Sequence, residues 1–227
     1  MGEQMKLNTP SGKAHVIDLK NRVQATIQSR IDGLDGHPPL QMATKNCILT
    51  GGAIVSMFHH ETPNDFDLLF NFVSDLDKVK FDIANGTERI INRDLVKNVN
   101  SNYFRTQTGS TTRLKNNKLI TDWAVTLYND VQLILKPITY RHGFDFIHVM
   151  PYYDIMRNKL FMSPEQFDCI ANKEIKINPN HCQPISEKRV LKYTDRGWTI
   201  SPKEIKKYAD KKVSDGLLDV EDNDPPF

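Results

Sequence analysis

Cysteine is scarce in this chain: there are three, Cys47, Cys169 and Cys182, scattered and without C-x-x-C spacing. That pattern excludes a disulfide framework and a zinc cluster, and a reducing cytoplasm is the expected setting. His59-His60 and His181-Cys182 are adjacent pairs whose side chains diverge on any regular element, so they form no metal site by themselves. An apolar run of about 18 residues, the length that spans a bilayer, is also missing. The stretch Met1 to Lys13 contains no apolar core of a secretory leader, and Met5 and Lys6 break a myristoylation signal. No internal repeat is found. Charge of one sign does not dominate either: the net charge is +2, which selects no partner.

What is present suits a folded protein. Of the 227 residues 39% are hydrophobic and 26% charged, enough apolar side chain for a core and too much for disorder. Val16, Leu19, Val23, Ile27 and Ile31 recur at helical spacing and predict a helix over 14–32, ending at Gly33. The stretch "GLDGHPPL" reads as a loop. "NCILT" predicts a short strand stopped by Gly51-Gly52, "AIVSMFHH" a helix, "ETPN" a turn and "DFDLLFNF" a strand. A weaker helix is expected from Ser74 to Ile91. "TDWAVTLY", "VQLILKPI" and "FDFIHVM" predict successive strands. From Ser163 the pattern turns helical, with "SPEQ" as a capping box and "SPKE" at Ser201 repeating it. The fold expected is α+β: a mixed sheet flanked by helices, with a small helical C-terminal part. The divisions expected are 1–160, 161–218 and an acidic tail, 219–227.

Three features stand out chemically. In a strand, residues i and i+2 share a face about 7 Å apart. Asp65 and Asp67 therefore point one way, with Phe66 and Leu68 towards the core. Two carboxylates so close raise each other's pKa unless a cation lies between them, and oxygen ligands suit Mg²⁺ or Mn²⁺. Gly51 and Gly52, ahead of a helix, let backbone N–H groups approach an anion, with the Ser56 hydroxyl nearby. The stretch Lys97 to Lys118 carries Lys97, Arg105, Arg113, Lys115 and Lys118 without an acid, and Tyr103 and Phe104 for stacking on bases.

Gly-Gly followed by a short helix, a turn and Asp-x-Asp on an apolar strand resembles the nucleotidyltransferase superfamily with the DNA polymerase β palm fold. "TGGAIVS…NDFDLLF", "VQLILKP…FDFIHVMPYYD" and "KRVLKYTDRGWTI" are similar to small nucleotidyltransferase-like proteins of bacteriophages and large DNA viruses. The resemblance implies transfer of a nucleoside monophosphate from an NTP to a hydroxyl with Mg²⁺ (or Mn²⁺). It implies Asp65 and Asp67 as metal ligands, with a third carboxylate on a later strand. Asp145, between Phe144 and Phe146, is the preferred third carboxylate, and Asp122 its rival. It also implies Gly51, Gly52, Ser56 and Arg189 or Lys192 around the triphosphate, with Arg157 and Lys159 as rival cations. Gln132 and His148 read as packed residues, and Lys136 as a strand-end charge. Val55 and Ser56 stand where the CCA-adding branch has an Arg-Asp pair, so CCA addition is not expected. The expected acceptor is an RNA or tRNA 3′ end. Alternatives are a protein or small-molecule hydroxyl, or nucleotide binding without catalysis, in a host cytoplasm if the chain is viral.

Overall fold

A computed structural model describes residues 5–34, 37–85, 124–127 and 129–214. The basic stretch 97–118, the rival Asp122 and the acidic tail lie outside the described residues.

Helix α1, Pro10–Asp32, begins earlier than its apolar periodicity predicts because Thr9 caps it: its side chain accepts the Gly12 N–H at 3.2 Å. Leu19, Val23, Ile27 and Ile31 form its buried stripe. A second helix, α2 (Pro38–Lys45), stands where a loop is predicted. Its two prolines occupy the first turn, where a missing N–H breaks no helical bond, and Leu40 and Ala43 are buried. Then come β1 (Cys47–Thr50), α3 (Gly52–Phe58), β2 (Phe66–Phe70) and α4 (Val73–Asn85). Strands β3 (Ala124–Thr126) and β4 (Val131–Pro137) follow.

The expected strand over 144–150 is not formed. Two 3-10 turns, Ile138–Gly143 and Ile147–Val149, bracket a bend at Asp145. Phe144, Phe146, Ile147 and Val149 are all buried, so the run is apolar for core packing and not for alternation. Its backbone is satisfied elsewhere: the Ile147 N–H donates to the Lys176 carbonyl at 2.9 Å. A hairpin missed in the sequence follows, β5 (Tyr152–Asp154) and β6 (Lys159–Phe161). Asn158 turns it with a φ of 52°, a left-handed value that asparagine tolerates.

These strands form one mixed sheet in the order β3-β4-β2-β1-β5-β6. Among the described residues of this sheet, only the β2–β4 pair is parallel. Helices flank it: α4 packs on β2 and β4, and α3 packs on β1, β2, α1 and α5 (Pro164–Ala171). The predicted capping box opens α5, with Ser163 Oγ accepting the Gln166 N–H at 3.2 Å and Gln166 Oε1 the Ser163 N–H at 2.8 Å. A two-stranded parallel ribbon, β7 (Glu174–Ile175) with β8 (Thr199–Ile200), encloses α6 (Glu187–Thr194), and α7 (Pro202–Ser214) ends the described chain. One apolar cluster runs from Leu19 through Phe66 and Leu68 to Phe167, Tyr193 and Trp198. Each large side chain in it contributes about 1.5–3 kcal/mol by burial. Among the described residues no helix is long and apolar enough to cross a membrane.

Candidate functional site

The site forms where β1 ends beside the start of β2. Thr50, the last residue of β1, is the register partner of Asp67. The Thr50 hydroxyl donates to the Pro151 carbonyl at 2.9 Å and ties the strand end to the chain entering β5. Gly51 then turns the chain with a φ of 78°. A Cβ there would lie 2.8 Å from the Asp67 carboxylate oxygen Oδ2. Glycine is thus required twice, for the left-handed backbone and for the space the carboxylate occupies. The Gly51 N–H donates to the Val149 carbonyl at 3.2 Å, so it serves the fold. Gly52 opens α3, and a Cβ there would meet nothing within 4 Å, leaving an open notch.

Asp67 is 2% exposed. Burial pushes its carboxyl well above the usual carboxylate range and Asp65 pushes it further, while Lys192 and Arg189 pull it back. Asp65 directly precedes β2 and is partly buried. Its carboxyl is also raised, first by burial, with Lys192 opposing and Asp130 adding. Phe66 and Leu68 are buried in the core, as is every residue of β2. Gln132, partly buried on the parallel strand β4, is the register partner of Asp67. Its place on the same sheet face follows from pairing between segments far apart in sequence, for which the local pattern holds no signal.

Asp145, 6% exposed, is placed differently. Its Oδ1 accepts Arg189 Nη2 and the Phe146 N–H, each at 3.0 Å, and its Oδ2 accepts Arg189 Nε. Its carbonyl accepts the Asn178 N–H at 2.8 Å. Asn178, itself buried, donates its side-chain amide to the carbonyls of His142 and Phe144, at 2.8 and 2.7 Å, and so fixes the bend. Among the described residues no three His, Cys, Asp or Glu side chains are grouped so as to hold a metal ion. Asp65 and Asp67 come together; Asp145 faces Arg189 instead. Tyr193, buried one residue beyond Lys192, has its phenol raised first by burial, with Arg189 and Arg196 opposing and Asp145 and Asp67 adding.

Ser56 sits in the last turn of α3 rather than its first, and its Oγ accepts Arg196 Nη2 at 3.4 Å. Arg196 also pairs with Glu61. Lys192 is exposed on α6, one helical turn after Arg189. Arg157 pairs with Asp154 at 3.3 Å, in the β5–β6 turn. Lys136, at the end of β4, lies over the Tyr140 ring at 5.8 Å. His148 is fully buried, stacked on Phe146 with centroids 5.3 Å apart and packed on Tyr193 and Trp198, each at 4.3 Å. Neither ring nitrogen has a hydrogen-bond partner among the described residues, and burial holds the imidazole well below its usual pKa, with Arg189 and Arg196 adding.

The sequence profile of a family described as Gad2, Gabija anti-defense 2 family protein, matches residues 19–173. A search of curated proteins finds no match. Among solved structures, the Thermotoga maritima CCA-adding enzyme complexed with tRNA is similar at a TM-score of 0.46 and 10% identity, over 78% of this chain. The chain spans 42% of that enzyme's length, and a likeness this distant carries no argument about chemistry.

Proposed function

This chain belongs to the Gabija anti-defense 2 family, and we propose that it is a metal-dependent nucleotidyltransferase working from the notch between Gly51 and Asp67. The observation that carries the reading is the Asp67 carboxylate, buried against Gly51 with Asp65 beside it and both raised in pKa. Two carboxylates in that state fit a hard divalent ion, because Mg²⁺ takes one or two carboxylates and completes its shell with water and substrate phosphates. Asp65 and Asp67 would hold it. When bound, Mg²⁺ or Mn²⁺ neutralises the pair and polarises the phosphates.

The chain's own residues do the rest. The bare Cα of Gly52 leaves room for the nucleotide. Lys192 and Arg189, both sensed by Asp67, supply positive charge for the triphosphate. Gln132 adds a neutral amide beside Asp67. An acceptor hydroxyl attacks the α-phosphorus, the bond to the bridging oxygen breaks, and pyrophosphate leaves. Asp145 is the third carboxylate of this reading. An RNA 3′ end is the acceptor favoured by the basic stretch 97–118, and a protein or small-molecule hydroxyl is the alternative.

A second reading, nucleotide binding without turnover, is favoured by one observation: Asp145 is committed to Arg189. One experiment separates them. The chain is incubated with each α-labelled NTP, Mg²⁺ and either total RNA or host protein, and the label is followed on gels. Label in RNA or protein, reduced about a hundredfold or more by Asp67→Asn, supports transfer. Retained NTP without pyrophosphate release supports the binding module, and no NTP retention rejects both.

A further inference from the structure

The Arg189–Asp145 pair joins residues 44 positions apart, and its two side chains are 16% and 6% exposed. Asp145 is the fixed half. Its Oδ1 is held by the Phe146 N–H, its carbonyl by Asn178, and the bend around it by the Asn178 amide. Arg189 is the adaptable half: a long side chain in the first turn of α6, whose N-cap Ser186 makes no side-chain cap bond. The segment that carries Asp145 borders the notch: the Val149 N–H donates to the Phe146 carbonyl at 3.4 Å, and the Val149 carbonyl accepts the Gly51 N–H at 3.2 Å. The Arg189–Asp145 pair is therefore anchored on the segment that adjoins Gly51.

Resting on the nucleotide reading above, we propose that Arg189 is an exchange latch, which holds Asp145 in the ligand-free chain and transfers to the polyphosphate when it binds. The exchange is favourable because no charge is stranded. A guanidinium fork receives a phosphate as well as a carboxylate, in the same two-point geometry. The phosphate oxygens bring more negative charge than the single carboxylate they displace. The carboxylate left behind is released beside a site that takes up a divalent ion, whereas an unpaired buried charge would be strongly unfavourable. Asp145 thus becomes available to the notch only in the presence of its anionic ligand. Before that, the third carboxylate is masked.

The latch predicts effects of opposite sign for its two halves. In metal-free buffer, Asp145→Asn frees Arg189 from its competitor, and inorganic tripolyphosphate should bind about tenfold tighter by calorimetry, as when a closed state populated about nine-tenths of the time is removed. Arg189→Gln should weaken the same binding about tenfold. Unchanged or weaker binding in folded Asp145→Asn overturns the latch alone. Failure of the wild-type chain to bind either tripolyphosphate or Mg²⁺ with a triphosphate analogue overturns the latch and the nucleotide reading together. A second measurement needs no aspartate variant. In the wild-type chain the Arg189 Nε–H resonance, identified by its loss in Arg189→Lys, should exchange slowly with solvent. It should shift when tripolyphosphate is added. A resonance that stays in place while tripolyphosphate binds overturns the proposal.

Discussion

Asp67 and Asp145 are both aspartates buried to within a few per cent, 2% and 6% exposed, yet their surroundings are opposites. Asp145 has a guanidinium on both oxygens and a backbone N–H besides. Asp67 has a second carboxylate for a neighbour and a glycine where any other residue would collide with it. A buried charge that has its own counterion serves the folded chain. A buried carboxylate set beside another is held above its usual pKa even with Lys192 and Arg189 opposing the rise. The contrast is why the proposed cation is assigned to the β1–β2 end and not to the α6 side.

The contrast can be broken most forcefully from the α6 side. Arg189→Gln leaves Asp145 buried and unpaired, and should destabilise the ligand-free protein by about 3 kcal/mol. Urea unfolding measures this, and adding Asp145→Asn should restore much of the loss, since a neutral amide needs no counterion. Gly51→Ala comes next. It combines a left-handed backbone with a Cβ 2.8 Å from Asp67 Oδ2, so about 2 kcal/mol of stability should be lost. A gain in stability would show that the crowding at Gly51 is misread.

The third change has the opposite sign. Asp67→Asn removes the buried member of two repelling carboxylates and should leave the metal-free protein as stable or up to about 1 kcal/mol more stable. The thermal shift with Mg²⁺ should vanish in this variant. The smallest effect is in pH dependence. Asp67 has a raised pKa in the folded chain, so its contribution to stability is full below the ordinary carboxylate range and is lost as pH rises through the raised value. In chelator, melting temperature should therefore decline over that rise, and Mg²⁺ should offset the decline progressively, because it binds the deprotonated pair. A Mg²⁺ effect independent of pH would argue against ligation by Asp65 and Asp67.

The β1–β2 half of the site was legible in the sequence because its signals are local. Gly51-Gly52 and Asp65-x-Asp67 declare a turn and a strand face from neighbouring residues alone, and the Ser163–Gln166 capping box is equally local. The other half was not. Whether "FDFIHVM" is a strand depends on the segment 174–178, which takes its backbone bonds. Arg189 and Asp145 are each readable as site residues, but their mutual pairing exists only after α6 has packed. Ser56 looked close to the helix start by count, and the shortness of α3 put it at the other end, against Arg196. Helix α2 hid behind its prolines, which signal a loop unless they fall in a first turn. The β5–β6 hairpin hid in strands of three residues, too short for alternation to be read.

The imidazole of His148 sits between Phe146, Tyr193 and Trp198, at the seam where α6 meets the turn Ile147–Val149. Proton uptake there would place a cation among aromatic rings, near Arg189 and Arg196 and with no acceptor among the described residues to receive it. The folded chain therefore favours the neutral ring, and stability conferred by this packing declines as pH falls below the ordinary histidine range. Acid should loosen this seam, and with it the seat of the helix bearing Arg189 and Lys192, on the acidic side of neutrality.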